Sequence, residues 1–316
     1  MHDSSEIRYR KGIIFTQMKK QQEIFLLGRS FVSSFSLLRK NDPLRMAGST
    51  AFYTTFALPP IVFILVRIFS LFISPKIMGR GLIENIGNNL GDAGAQQIRE
   101  VIHSIRGFNK NWYVIIFGFL FLVFVATTLF IVIRNSLNQI WAIEVKRNSG
   151  FIVNMFARAR SFAIILFVGV LFFATLMFKS IETISSNYID GVMHSSTVYF
   201  NLIFNKIIST LIIAAWFISL FRFLADGRPT WKAACIGGIL TAILFIIGRF
   251  FLKILLINSN IGELYGASGA FVLVMLFVFY TSFILYFGAC FILVYSKEKQ
   301  WPITINNKTL RITEQA

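Results

Sequence analysis

The sequence predicts an all-α integral membrane protein: six transmembrane helices, a cytoplasmic amphipathic N-terminal helix and an external helical hairpin. Three observations predict it. Of the 316 residues, 56% are hydrophobic and only 14% charged, with a mean hydropathy of +0.69; a soluble domain is about 45–50% apolar and about a quarter charged. Six stretches reach the roughly 20 apolar residues that a helix needs to cross a bilayer. Lysine and arginine crowd into alternate connections between those stretches. The same composition excludes a disordered chain, a collagen-like fibre and a disulfide scaffold. The two cysteines, Cys235 and Cys290, lie in apolar runs and read as small buried hydrophobes. The N-terminus lacks the apolar core and small-residue cleavage site of a secretory signal.

Residues 1–46 form a cytoplasmic N-terminal region. Within 13–40, Phe31, Phe35 and Leu38, with Ile24 and Leu27 before them, fall at helical spacings opposite Lys19, Lys20 and Arg39. That pattern predicts a helix lying on the membrane or against the bundle. The transmembrane domain covers 47–295, with spans at about 47–74, 112–133, 161–178, 200–221, 233–257 and 268–295. The runs are long and do not alternate, which excludes a β-barrel pattern. In the first, Gly48-Ser49-Thr50 is small and polar, and Pro59-Pro60 is expected to kink or break the helix. Residues 82–106 carry two apolar-periodic halves around Gly91-Asp92-Ala93-Gly94 and read as an external helical hairpin. Residues 296–316 are a cytoplasmic tail.

Orientation follows from counting. The N-terminal region, the 134–160 and 222–232 connections and the tail hold 21 lysines and arginines, against six on the opposite side. The positive-inside rule then puts both termini in the cytoplasm. It also accounts for most of the net charge of +17 without a nucleic-acid partner. Anionic lipid is the expected contact for these charges.

Several short motifs are spaced along the chain. They are Tyr53-Thr54-Thr55-Phe56-Ala57-Leu58-Pro59-Pro60, Leu137-Asn138-Gln139-Ile140-Trp141, the basic pair Arg158 and Arg160, and Gly227-Arg228-Pro229-Thr230-Trp231. Gly248-Arg249, Tyr265-Gly266-Ala267-Ser268-Gly269-Ala270 and Phe287-Gly288-Ala289 complete the set. In content and order it resembles the YihY/BrkB-type bacterial inner-membrane proteins, over about residues 30–296. The resemblance implies a six-helix inner-membrane protein with both termini inside, and a structural role for Tyr53, Pro60, Asn138, Trp141, Tyr265, Gly266 and Gly269. The family has been linked to serum resistance and to envelope lipid export. This chain departs from its pattern at Cys290, where an acidic residue is usual, and at Gln139, where arginine is usual.

No catalytic residue is expected. His2, His103 and His194 are scattered, and no pair of carboxylates has metal-ligand spacing on one helix. No phosphate-cradling Gly-Lys-Ser/Thr loop is present, so any transport would draw on a gradient, a partner or a downhill path. No metal or cofactor is expected. The informative residues are cations within apolar runs: Arg67, Arg249, Lys253 and Lys206, with Lys179 at the end of the third span. The assigned topology puts them in the outer half, where basic residues are uncommon. Snorkelling to headgroups accounts for the lysines. Arg249, among Phe245, Ile246, Phe250 and Phe251, needs a partner, the bundle interior or water. Gly237-Gly238 and Gly248 read as close helix packing, with a hinge as the alternative. Two functions follow as expectations. One is a transporter or flippase-like protein for an anionic amphiphile or envelope lipid, contacted by Arg249, Arg67, Lys253 and Lys206. The other is a non-transporting scaffold for envelope proteins.

Overall fold

The computed structural model describes residues 3–69, 112–145, 196–257, 269–305 and 309–311, with single helical positions at 163, 167 and 170. The predicted hairpin at 82–106, most of the third span, the three histidines and Lys179, Tyr265 and Gly266 lie outside the described residues. The helices are α1 (Asp3–Lys40), α2 (Pro43–Phe69), α3 (Trp112–Ile140), α4 (Ser196–Ser219), α5 (Trp231–Ile257) and α6 (Gly269–Glu298). A π-helical turn, Leu220–Leu224, extends α4.

Among the described residues, α3, α4, α5 and α6 each contain a stretch long and apolar enough to cross a membrane. They correspond to the second, fourth, fifth and sixth expected spans. α2 carries the first and has 27 residues, about 40 Å at 1.5 Å per residue. It runs on through Pro59-Pro60, so of the expected kink or break the break does not occur. A proline pair removes two backbone donors, and membrane helices tolerate that where neighbours satisfy the freed carbonyls.

Local chemistry sets the boundaries. α1 ends where Asn41 donates its backbone N–H to Leu38 O and its side-chain amide to Leu37 O. Asp42 adopts a left-handed φ of 51°, which aspartate tolerates better than most residues. Pro43 then opens α2, at the position where its missing N–H costs nothing. Thr230 caps α5, its hydroxyl accepting from Ala233 N at 3.4 Å. α6 closes with Trp301 N donating to Ser296 O and Gln300 N to Lys297 O, a Schellman closure in which Gln300 takes the left-handed position at φ 57°.

The helices pack in the order α4, α5, α6, α2, α3, and α1 lies along α6. The buried side of α1 is Ser30, Ser34 and Leu38. Phe25, Val32 and Phe35 point away from the bundle, and Phe31 is half-exposed with its ring against Phe287. So the expected apolar face divides. Leu38 joins a serine face that lets α1 approach α6 closely, and the phenylalanines largely stay outside. Two serines suffice there because small side chains, not apolar ones, decide how near two helices come.

The tail folds back, which the sequence reading did not anticipate. β1 (Ile143–Val145) pairs antiparallel with β4 (Thr309–Arg311), and β2 (Gly227–Arg228) with β3 (Thr304–Ile305). These ribbons mark one end of the bundle, here the ribbon end. Glu144 stands opposite Leu310 in the β1–β4 register.

Two adjacent glycines seat α5 between its neighbours. A Cβ on Gly237 would lie 2.2 Å from Ile292 of α6, and one on Gly238 2.4 Å from Ile218 of α4, with Ile218 backbone at 3.0 Å. The packing reading therefore accounts for the pair. Gly238→Ala should destabilise the folded protein by about 1–3 kcal/mol, the range for overpacking. Gly48→Ala meets nothing within 4 Å and should be neutral or stabilising by up to about 1 kcal/mol, from helix propensity. Thermal unfolding of the purified variants in one detergent checks the contrast.

Candidate functional site

Two polar regions stand in the bundle. The first is at the ribbon end and joins residues far apart in sequence. Arg134, nearly two turns before the end of α3 at Ile140, donates from Nε and Nη2 to the two carboxylate oxygens of Asp226 at 3.0 and 2.8 Å. Asn138, one turn further along α3, donates to Asp226 Oδ2 at 2.7 Å and accepts from Asp226 N at 3.0 Å. The ion pair is largely buried, with side-chain exposures of 15% and 10%. A planar guanidinium meeting a carboxylate through two parallel bonds fixes orientation as well as position.

Around this pair the motifs converge. Trp141, buried at the end of α3, donates Nε1–H to Ala289 O of α6 at 3.0 Å. Gly227 tucks against it: a Cβ there would lie 2.5 Å from Ile143 and 3.1 Å from the Trp141 ring. Arg222 donates to Pro229 O and lies 5.1 Å from the Trp231 ring. Nearby, Thr50 of α2 and Tyr286 of α6 share a hydrogen bond of 2.5 Å, and Ser136 of α3 also bonds the phenol. Three helices thus meet at one hydroxyl.

Of the motif residues expected to be structural, Asn138 and Trp141 are central to this end. Gly269 is buried at the start of α6. Tyr53 is 41% exposed and stacks edge-on with Phe52, so it faces outward. Pro60 lies within α2, its side chain outside the described residues.

Arg134 and Asp226 were counted in the sequence as dispersed loop charges. α3 continues seven residues beyond the predicted end at 133, to Ile140. That extension puts Arg134 and Asn138 on one helical face at i and i+4. Such spacing at the polar end of a span was the available signal; the partner, Asp226, is reached only through tertiary structure.

The second region is the set of predicted outer cations. Arg67 lies on α2, Lys206 on α4, and Arg249 and Lys253 on α5. Side chains of Arg67, Lys206 and Lys253 lie outside the described residues. Arg249 is half-buried and its side chain is engaged by a neighbour. Its place on α5 is informative. Ile239, Ile243, Ile247, Phe250 and Ile254 form the exposed stripe of that helix. Arg249 falls instead in the row Gly238, Ala242, Phe245, at spacings of four, three and four, hence on one face. That row meets α4, through Gly238 on Ile218 and through Phe245 on Phe217 at 5.9 Å between ring centroids.

Heights agree with this. α4 and α5 run antiparallel. Lys206 precedes the end of the π turn at Leu224 by as many residues as Arg249 follows the start of α5 at Trp231, about 27 Å in each case. The backbone thus brings Lys206 and Arg249 to the same level on neighbouring helices. Arg67 and Lys253 stand higher on theirs.

Length, apolar spans and buried polar pairing define a polytopic α-helical membrane protein. The model of the family described as "Virulence factor BrkB" matches residues 34–313, and the chain belongs to that family. It is similar to a UPF0761 membrane protein of Janthinobacterium sp. (strain Marseille), 27% identical over 74% of this chain and 52% of the relative. It is also similar to a UPF0761 membrane protein of Vibrio vulnificus (strain YJ016), 23% identical over 88% of this chain and 86% of the relative. The chain thus spans about half the length of the first relative and most of the second. No solved structure matches.

Removing one partner of a buried ion pair strands the other. Asp226→Ala should cost about 3–5 kcal/mol. The double substitution Arg134→Met with Asp226→Leu should recover part of the loss, because no charge then remains unpaired. Unfolding midpoints of the two variants against the wild type decide this.

Proposed function

We propose that this protein is a transporter or flippase-like protein of the bacterial inner membrane, acting on an anionic amphiphile such as an envelope lipid. In this reading six helices cross the membrane, both termini and the ribbon end are cytoplasmic, and the cation-bearing half faces outward. The observation that carries it is the position of Arg249, on the α4-facing side of α5 and off the isoleucine stripe. A snorkelling arginine belongs on the lipid-facing side; this one lies on the side of α5 that packs against α4, at the backbone height of Lys206. Arginine suits phosphate by its fork of donors.

Reconstitution into proteoliposomes tests the reading. A fluorescent phosphatidylglycerol analogue in one leaflet should change leaflets faster with wild-type protein than in empty vesicles. Arg249→Gln should reduce that acceleration at least tenfold without altering expression or unfolding midpoint. Equal movement with and without the protein would reject transport of this lipid class and favour a scaffold.

A further inference from the structure

One further polar feature stands at the ribbon end, away from Arg249. Past the last residues of α6 lies a hollow of about 230 Å³ lined by Leu293, Ser296, Lys297, Gln300, Trp301 and Ile303. It is smaller than the pockets of about 300–1,000 Å³ that enclose drug-sized ligands, so it suits a headgroup better than a whole amphiphile.

Its polar floor is unusual within this protein. Hydroxyls on apolar helices ordinarily donate back to the carbonyl one turn earlier. Thr54, Thr55, Thr127, Ser219, Thr241 and Thr281 all do so. Ser296 does not. Its residue is 3% exposed, yet among the described residues its hydroxyl has no hydrogen-bond partner. A buried hydroxyl left unmatched costs free energy, and Ser296 is among the residues around the hollow.

The charge around it favours an anion. Lys297 lines the hollow, Lys232 lies 5.9 Å from the Trp301 ring, and Lys299 lies 6.0 Å from the Tyr295 ring. Two carboxylates stand nearby among the described residues, one of them paired with Lys299 itself. Glu298 accepts from Ser30 at 3.2 Å and faces Arg29 at 3.7 Å, and Glu23 pairs with Lys299 at 3.4 Å. A helix C-terminus would normally repel an anion. Here the last carbonyls are already taken by the backbone N–H groups of Lys299, Gln300 and Trp301. Depth points to lipid: the apolar run of α6 ends at Tyr295, and Trp301 follows, the aromatic signature of a headgroup region.

We infer that this hollow binds the phosphate of an anionic lipid headgroup in the leaflet at the ribbon end. Ser296 donates to a phosphate oxygen, Lys297 supplies charge, and Leu293 and Ile303 meet the first carbons beyond it. The inference does not depend on transport; only the naming of that leaflet as the inner one rests on the proposed topology.

The test uses the purified full-length protein in a non-ionic detergent. Unfolding midpoints are followed while short-chain phosphatidylglycerol, short-chain phosphatidylcholine or inorganic phosphate is added. Phosphatidylglycerol should raise the midpoint saturably, with little effect from phosphatidylcholine. Ser296→Ala and Lys297→Gln should each weaken the phosphatidylglycerol response at least tenfold, and Lys297→Arg should retain it. Arg249→Gln should leave it unchanged, which separates this site from the outer one. If Ser296→Ala does not fold, Gln300→Ala, at an exposed lining position, takes its place with the same expected weakening. An undiminished response in these lining variants overturns the site. Inorganic phosphate acting as strongly as the lipid overturns the headgroup assignment, because the site then takes a soluble anion.

Discussion

A polar group placed among apolar helices has to find its partner within the protein, and the Arg134–Asp226 pair is where that constraint binds hardest. The guanidinium on α3 is held by a carboxylate from the segment between α4 and α5, and Asn138 completes the ring by bonding both the carboxylate and the backbone of Asp226. This fixes the turn that carries Gly227. Gly227 in turn fits against Trp141, and Trp141 reaches across to α6. Helices that are separate in sequence are thus held in register at one end by directional bonds, and lipid-like side chains fill the rest.

The two ends of the bundle are accordingly different in kind. The ribbon end is closed by hydrogen bonds, an ion pair, two short ribbons and a cluster of buried aromatic and aliphatic side chains. Towards the other end the described contacts are of another sort. α5 approaches α6 at Gly248, beneath Tyr280, whose hydroxyl bonds Leu244 O, and α5 meets α4 along the row that carries Arg249.

Much of this was legible in the sequence, because membrane helices write themselves as long apolar runs. α3, α4, α5 and α6 all fall where their hydropathy puts them, and the ordered motifs point to the BrkB family. Three features were not legible, each for a physical reason. The folded tail was missed because strands of two or three residues carry too little alternation to register against a polar background. The serine face of α1 was missed because hydropathy rewards phenylalanine and ignores the close approach that a small side chain permits. The Arg134–Asp226 pair was missed because pairing between distant segments leaves no local period. For the cations within the apolar runs the sequence showed which residues were out of place. The face of α5 on which Arg249 lies became meaningful only once Gly238 and Phe245 were seen to meet α4.

The ribbons bear on how the chain is assembled. β1 directly follows α3, and β2 directly precedes α5, yet their partners β4 and β3 lie beyond α6. During synthesis both first strands emerge with open edges and stay unpaired until the last described helix has been made. Closure of the ribbon end is therefore a late event that reads out completion of the bundle, and a chain stalled before α6 would leave two bare strand edges for quality-control proteases to find.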